Sequence, residues 1–139
     1  AGGYLTSMIG LDKRWLEPYG IDPDTAFVAL IPYSGQVVTH FERRRELGLP
    51  DTQPLVDAMA PLSYVRPDCR PMLILSGDRE REMLGRYEEN AYFWRMMRVA
   101  GHPDVRICEF DGFDHGNMPQ AGHFVAVRYI REMERRMDR

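Results

Sequence analysis

Apolar positions along the chain recur in two rhythms, and the rhythms alternate. Tyr4, Met8, Leu11 and Trp15 follow one another at steps of three or four residues, which predicts a helix from Gly3 to about Leu16, closed by Pro18, Gly20 and Pro23. Phe27-Val28-Ala29-Leu30-Ile31 is then a continuous apolar run between turn residues, the signature of a strand buried on both faces. A short polar helix is expected over Thr39–Leu47, stopped by Gly48 and Pro50, and a loop with a helical turn over Gln53–Tyr64. Met72-Leu73-Ile74-Leu75 reads as a second buried strand, and Val105–Phe110 as a third. Between them Gly85–Ala100 has helical spacing, with Tyr87, Ala91, Trp94 and Met97 on one side and Gly101 as the stop. The last helix runs from about Gln120 to Arg136, with Ala126, Val127, Ile130, Met133 and Met137 as its apolar stripe.

Helices and strands thus alternate, and strands joined through helices cross over right-handedly into a parallel sheet. The expected fold class is α/β: a three-layer arrangement with about three parallel strands flanked by helices. At 139 residues it forms one domain, residues 1–139.

Composition narrows the function classes. A hydrophobic fraction of 44% suffices for a core, so disorder is not expected. The net charge of −3 gives no support to a nucleic-acid partner. The arginine clusters at Arg43-Arg44-Arg45 and from Arg131 to Arg139 are interleaved with Glu42, Glu46, Glu132 and Glu134, the pattern of solvated helix faces. No apolar run approaches the ~20 residues of a membrane span, so no membrane partner is expected. Cys69 and Cys108 are two thiols, too few for a disulfide framework, and Cys108 inside a strand reads as a buried thiol rather than a nucleophile. The four histidines show no metal-ligand spacing, and neither metal nor cofactor is expected.

In open parallel sheets, functional groups gather beyond the C-terminal ends of the strands. Two chemistry-bearing loops fall there. Met72–Leu75 runs into Ser76-Gly77-Asp78-Arg79-Glu80, and Val105–Phe110 runs into Asp111-Gly112-Phe113-Asp114-His115-Gly116. Neighbouring strands lie ~4.8 Å apart, so these loops can bring a carboxylate to an imidazole. That pairing is what a serine hydrolase needs to hold its general base. His40, His102 and His123 sit at helix ends or starts without a partner motif, and Ser7, Ser34, Ser63 and Ser76 lack the tight elbow of a nucleophile. Tyr87, Tyr92, Phe93 and Trp94 read as helix packing.

The order and spacing of these segments resemble the C-terminal half of an α/β-hydrolase, near the esterase/lipase and feruloyl-esterase-like branch. Ala1-Gly2-Gly3 resembles the start of the helix that follows the nucleophile in a G-x-S-A-G-G elbow. Leu30-Ile31-Pro32-Tyr33-Ser34-Gly35-Gln36 resembles the strand and loop after that helix, Ser76 to Glu80 the family's H-G-x-x-D, and Asp114-His115-Gly116 the catalytic-histidine loop. The resemblance implies His115 as general base, Glu80 as the triad acid, and the Ala1 N–H as an oxyanion donor in a longer parent. Asp78 and Glu82 compete with Glu80, each with an alternative role in capping the helix that begins near Gly85.

Neither a nucleophilic serine nor an HGGG-type oxyanion motif is present, so the chain is expected to be inactive alone. The implied parent is a serine carboxylic-ester hydrolase acting on a small ester or acylated carbohydrate. A peptidase of the same fold, resembling prolyl oligopeptidase, and a non-enzymatic binding or assembly domain are the alternatives. Association with a missing N-terminal half, or homo-oligomerisation through the apolar Phe27–Ile31 edge, is the expected partnership.

Overall fold

The computed structural model describes residues 1–139. Its helices are α1 (Gly2–Leu11), α2 (Pro23–Ala26), α3 (Phe41–Glu46), α4 (Arg86–Val99) and α5 (Met118–Met137), and its strands are β1 (Met72–Gly77) and β2 (Val105–Phe110). Short 3-10 turns occupy Lys13–Trp15, Glu17–Tyr19 and Pro61–Tyr64.

The sheet is built on β1, every residue of which is buried. It pairs in parallel with β2 from Met72 opposite Val105 to Gly77 opposite Phe110. Side chains alternate across a strand. Met72 and Ile74 therefore join one core with Leu11, Phe93 and Met97, under α1 and α4. Leu73 and Leu75 face the opposite side and join Met118, Tyr129 and Met133 of α5. Helices thus cover both faces, and the expected three layers are present. Phe93 is fully buried, so its truncation to alanine would cost about 3–5 kcal/mol.

The third expected strand is reduced to two isolated parallel bridges, Leu30 to Met72 and Tyr33 to Leu75, so the sheet has two strands rather than three. The cause is a single residue. Leu30 donates to the Pro71 carbonyl and accepts from the Leu73 N–H, both at 2.9 Å. Pro32 accepts from the Leu75 N–H at 3.1 Å, and the Ser34 N–H donates to the Leu75 carbonyl at 2.7 Å. In an unbroken parallel ladder residue 32 would also donate to Leu73, and proline has no N–H. The two bridges keep one register across that gap. Residues 30–34 therefore track β1 on the side away from β2.

Two helices turn differently from their apolar pattern. On α4 the buried residues are Arg86, Asn90, Phe93 and Met97, one position off the expected face. Two polar side chains lie inside because they serve backbone carbonyls: Arg86 donates to Ser34 at 2.6 Å and Asn90 to Gly35 at 2.9 Å. On α5 the buried stripe is Met118, Gly122, Ala126, Tyr129 and Met133, whereas Val127, Ile130 and Met137 of the expected stripe are exposed. The first helix ends at Leu11, and Trp15, expected on its buried face, is exposed. Asp12 accepts the Arg14 N–H there and starts a 3-10 turn.

Candidate active site

The site is assembled where β1 and β2 end. Gly77, the last residue of β1, lies against the histidine loop. A Cβ built on it would sit 2.7 Å from the Phe113 carbonyl oxygen and 2.8 Å from Glu82 Oε2, so only glycine fits. Asp78 follows and ties the two loops together. Its N–H donates to the Phe113 carbonyl at 2.8 Å, and its carboxylate accepts the Gly112 N–H at 2.8 Å and the Glu80 N–H at 2.9 Å. The Gly112 and Glu80 hydrogen bonds hold this carboxyl below its usual range. The Asp78 carbonyl then accepts the N–H groups of Arg81 and Glu82, at 2.9 and 2.7 Å, and the chain turns back on itself.

That turn decides which acid meets the histidine. Glu82, not Glu80, contacts His115: its Oε1 lies 2.5 Å from His115 Nδ1. Glu82 Oε2 accepts the Gly77 N–H at 3.1 Å, and Oε1 the Met83 N–H at 3.2 Å, which fixes the carboxylate in place. Glu80 points elsewhere; it is exposed, and its N–H is spent on Asp78.

The histidine loop is organised by Asp114. Its carboxylate accepts the N–H groups of Gly116 and Asn117, at 2.8 and 2.9 Å, and the Asn117 side chain accepts the Asp114 N–H at 2.7 Å. Gly112 supplies the positive φ of 81° that reverses the chain after β2. His115 is thereby held at the head of α5 with its side chain 43% exposed, while the Glu82 side chain is completely buried. A carboxylate only accepts, so Nδ1 carries the proton and Nε2 is left as the basic nitrogen.

Ser34 is the third group at the imidazole. Its Oγ lies 3.3 Å from the same Nδ1 that Glu82 holds, so it stands on the wrong side of the ring to give its proton to Nε2. Ser34 is buried and adopts φ +46°, the single non-glycine residue with a positive φ. Its position is fixed from three directions: Leu75 takes its N–H, Arg86 donates to its carbonyl, and Gly35 beside it packs against Gly3. A Cβ on Gly3 would lie 2.7 Å from Gly35 Cα, and one on Gly35 would lie 2.4 Å from the Gly3 carbonyl carbon. This backbone-on-backbone contact seats the start of α1 against the loop that carries Ser34. Ala1 is the exposed N-cap of α1, and its carbonyl accepts the Leu5 N–H at 3.0 Å.

The remaining histidines serve the framework. His40 caps α3 by accepting the Glu42 N–H at 3.3 Å and stacks on Phe41. His102 is buried between the Cys69 carbonyl and the Asp104 N–H. His123 pairs with the Tyr33 hydroxyl at 3.0 Å. Both thiols are free, and burial pushes Cys69 up to about 11 and raises Cys108, so neither is an activated nucleophile. A cavity of about 500 Å³ between β2 and α5 does not include His115 in its lining; Arg106 and Glu132 on its wall are joined in an ion pair at 2.8 Å, and Arg128, Arg131 and Arg135 line it as well.

A parallel sheet with both faces covered by helices, carrying an acid–histidine pair beyond its strand ends, is a mixed α/β fold of the hydrolase type. Solved structures of an esterase are among those it matches. The native form of esterase 2 from the planctomycete Thermogutta terrifontis superposes with a TM-score of 0.67 at 20% identity, over 95% of this chain and 52% of that one. Its butyrate-bound form gives a TM-score of 0.68 at 20% identity, over 95% and 53%. The form phosphonylated by sarin gives 0.67 at 18%, over 95% and 54%. The chain therefore spans about half the length of the solved structures it matches. No protein-family model matches the sequence, and no relative is found among curated proteins.

Proposed function

We propose that the chain supplies the histidine and the acid of a serine carboxylic-ester hydrolase, with Glu82 rather than Glu80 as the acid. In this reading His115 Nε2 takes the proton of a serine contributed from outside residues 1–139. That serine attacks the ester carbonyl, and the buried Glu82 carboxylate holds the tautomer and stabilises the imidazolium that forms. His115 then returns the proton to the leaving alkoxide. Backbone N–H groups, that of Ala1 among them, would stabilise the oxyanion. The observation that carries the reading is the 2.5 Å contact between His115 Nδ1 and Glu82 Oε1, with Nε2 left free on a half-exposed ring. Butyrate- and propionate-bound forms of the matched esterase favour esters of short acids as substrates.

The test is hydrolysis of p-nitrophenyl butyrate by the chain alone and by a longer polypeptide that includes the preceding G-x-S segment. Turnover is expected only from the longer polypeptide, and it should fall by several orders of magnitude on His115→Ala, because a triad acts as a unit. Hydrolysis that survives His115→Ala would refute the assignment.

A further inference from the structure

A second cavity, of about 610 Å³, opens between the loop after the broken strand and the N-terminal end of α4. It adjoins the acid–histidine pair through one residue: Arg86 on its wall donates to the Ser34 carbonyl at 2.6 Å, and Ser34 Oγ reaches His115. Three guanidinium groups line it: Arg45 is half-exposed, whereas Arg86 and Arg44 are more than nine-tenths buried. Burying cations is expensive unless each N–H finds an acceptor. Arg44 spends Nε on the Thr39 carbonyl and Nη1 on the carbonyls of Asp51 and Gln53. Arg86 spends Nη1 on Ser34, but its Nη2 meets only the Met83 sulfur at 3.6 Å, and its Nε stands 3.9 Å from Glu89, beyond hydrogen-bond reach. A buried guanidinium thus faces the cavity with most of its fork unspent.

Neither carboxylate on the wall hydrogen-bonds Arg86, and Glu89 faces it only as an ion pair at 3.9 Å. Asp51 is gripped by Arg45 through two contacts of 3.1 and 2.9 Å. Glu89 accepts the Val37 N–H at 2.7 Å, and burial raises its carboxyl above the ordinary range. Gly85, the N-cap of α4, also lines the cavity and brings no side chain to cap the helix, so the positive end of the helix dipole adds to the same field. Phe41, Met83 and Leu84 complete the wall with apolar surface, which suits an organic molecule better than a bare inorganic anion.

We propose that this cavity is a subsite for an organic carboxylate, gripped by the open fork of Arg86 with Arg44 behind it, and that it selects esters bearing a second, free carboxylate. The planar fork matches a carboxylate in two-point contact. The selection of esters rests on the hydrolase reading; the binding of a carboxylate does not.

Binding is read without turnover, from the arginine Nε–H signals in NMR spectra of the protein titrated with monomethyl succinate, with the neutral methyl butyrate, and with inorganic phosphate. The Arg86 signal is expected to shift saturably with monomethyl succinate, not with methyl butyrate, and with phosphate about tenfold less tightly. Arg86→Lys should weaken monomethyl succinate about tenfold. Glu89→Gln, which removes a competing charge and keeps an acceptor for Val37, should tighten it, a change that a poorly folded variant cannot mimic. No response of Arg86, an equal response to methyl butyrate, phosphate as tight as the monoester, or no tightening in Glu89→Gln would each overturn the subsite. A saturable Arg86 shift in a protein without esterase activity would count against the hydrolase reading alone.

Discussion

The Asp78 carboxylate accepts the Gly112 N–H at 2.8 Å, and so a residue that competes with Glu80 as the acid in the sequence is the clip between the two loops. Removing it should act on geometry rather than on chemistry. Asp78→Ala is expected to speed amide hydrogen exchange at Gly112 and Glu80 and, on the proposed function, to lower the turnover of the longer polypeptide by up to about 10²-fold, the cost of misplacing a catalytic group by about an ångström. Unchanged exchange at both amides would show that the clip is not needed.

Glu82 and Glu80 are separated by a conservative substitution. Glu82→Gln leaves the shape and removes the charge that fixes the tautomer, and should lower kcat on the order of 10³–10⁴-fold. Glu80→Gln should stay within about twofold, since its side chain is exposed and makes no contact at the imidazole. The two variants, assayed side by side on p-nitrophenyl butyrate, give the reverse order if Glu80 is the acid after all.

Ser34 offers a test of strain and contact together. Ser34→Gly and Ser34→Ala both delete the hydroxyl at His115 Nδ1, but only glycine relieves φ +46°. The glycine variant should be the more stable of the two by about 1 kcal/mol in urea denaturation. Both should shift the His115 ring ¹⁵N signals, which a residue serving only the backbone turn would leave in place.

Acid should loosen the far end of the sheet first. Arg106, aided by Arg136, holds the Glu132 carboxyl down to about 2, against an ordinary 4.5. A depressed carboxyl contributes stability that is fully present above its unfolded value and is lost as pH falls through its folded one. The stability gap between the native protein and Glu132→Gln is therefore expected to be constant above about pH 5 and to close between about 4.5 and 2. The group is half-exposed, so high salt should shrink the gap at every pH. A gap that widens on acidification would contradict the ion pairing.

The open side of residues 28–33 bears on assembly. Leu30, Pro32 and Ser34 turn their backbone groups to β1, so those of Ala29 and Ile31 face the other way, along an apolar segment with no charge to discourage pairing. Self-association of the 139-residue chain at low micromolar concentration is expected in sedimentation experiments, and Ile31→Lys should suppress it. A monomer insensitive to Ile31→Lys would remove this edge as the cause.

What sequence reading reached and missed follows from the physics of each element. Strands β1 and β2, the layer order and the place of the His115 loop at their ends are legible because burial imposes a period on the residues and the loop glycines mark the strand ends. A count along an extended loop favours Glu80 as the partner of His115, whereas the turn closed on the Asp78 carbonyl carries Glu82 back to Gly77 and the imidazole. The inner face of α4 was misread because Arg86 and Asn90 are buried to serve carbonyls, and a hydrophobic pattern has no sign for that. The place of Ser34 beside Nδ1 depends on a left-handed turn that composition does not announce. The third strand failed at one missing N–H, and Pro32 was in plain view.

The contact of Gly3 with Gly35 sets an unusual tolerance map for anyone wishing to remodel this protein. The exposed turn at Leu47-Gly48 after α3 could be lengthened at little entropic expense, since closure grows only with the logarithm of loop length. A single methyl group at Gly3 or Gly35, by contrast, would wedge α1 away from the Ser34 turn and carry the error straight to the imidazole. Evolution and engineering alike are free to extend that turn, and at the Gly3–Gly35 contact are held to a single atom.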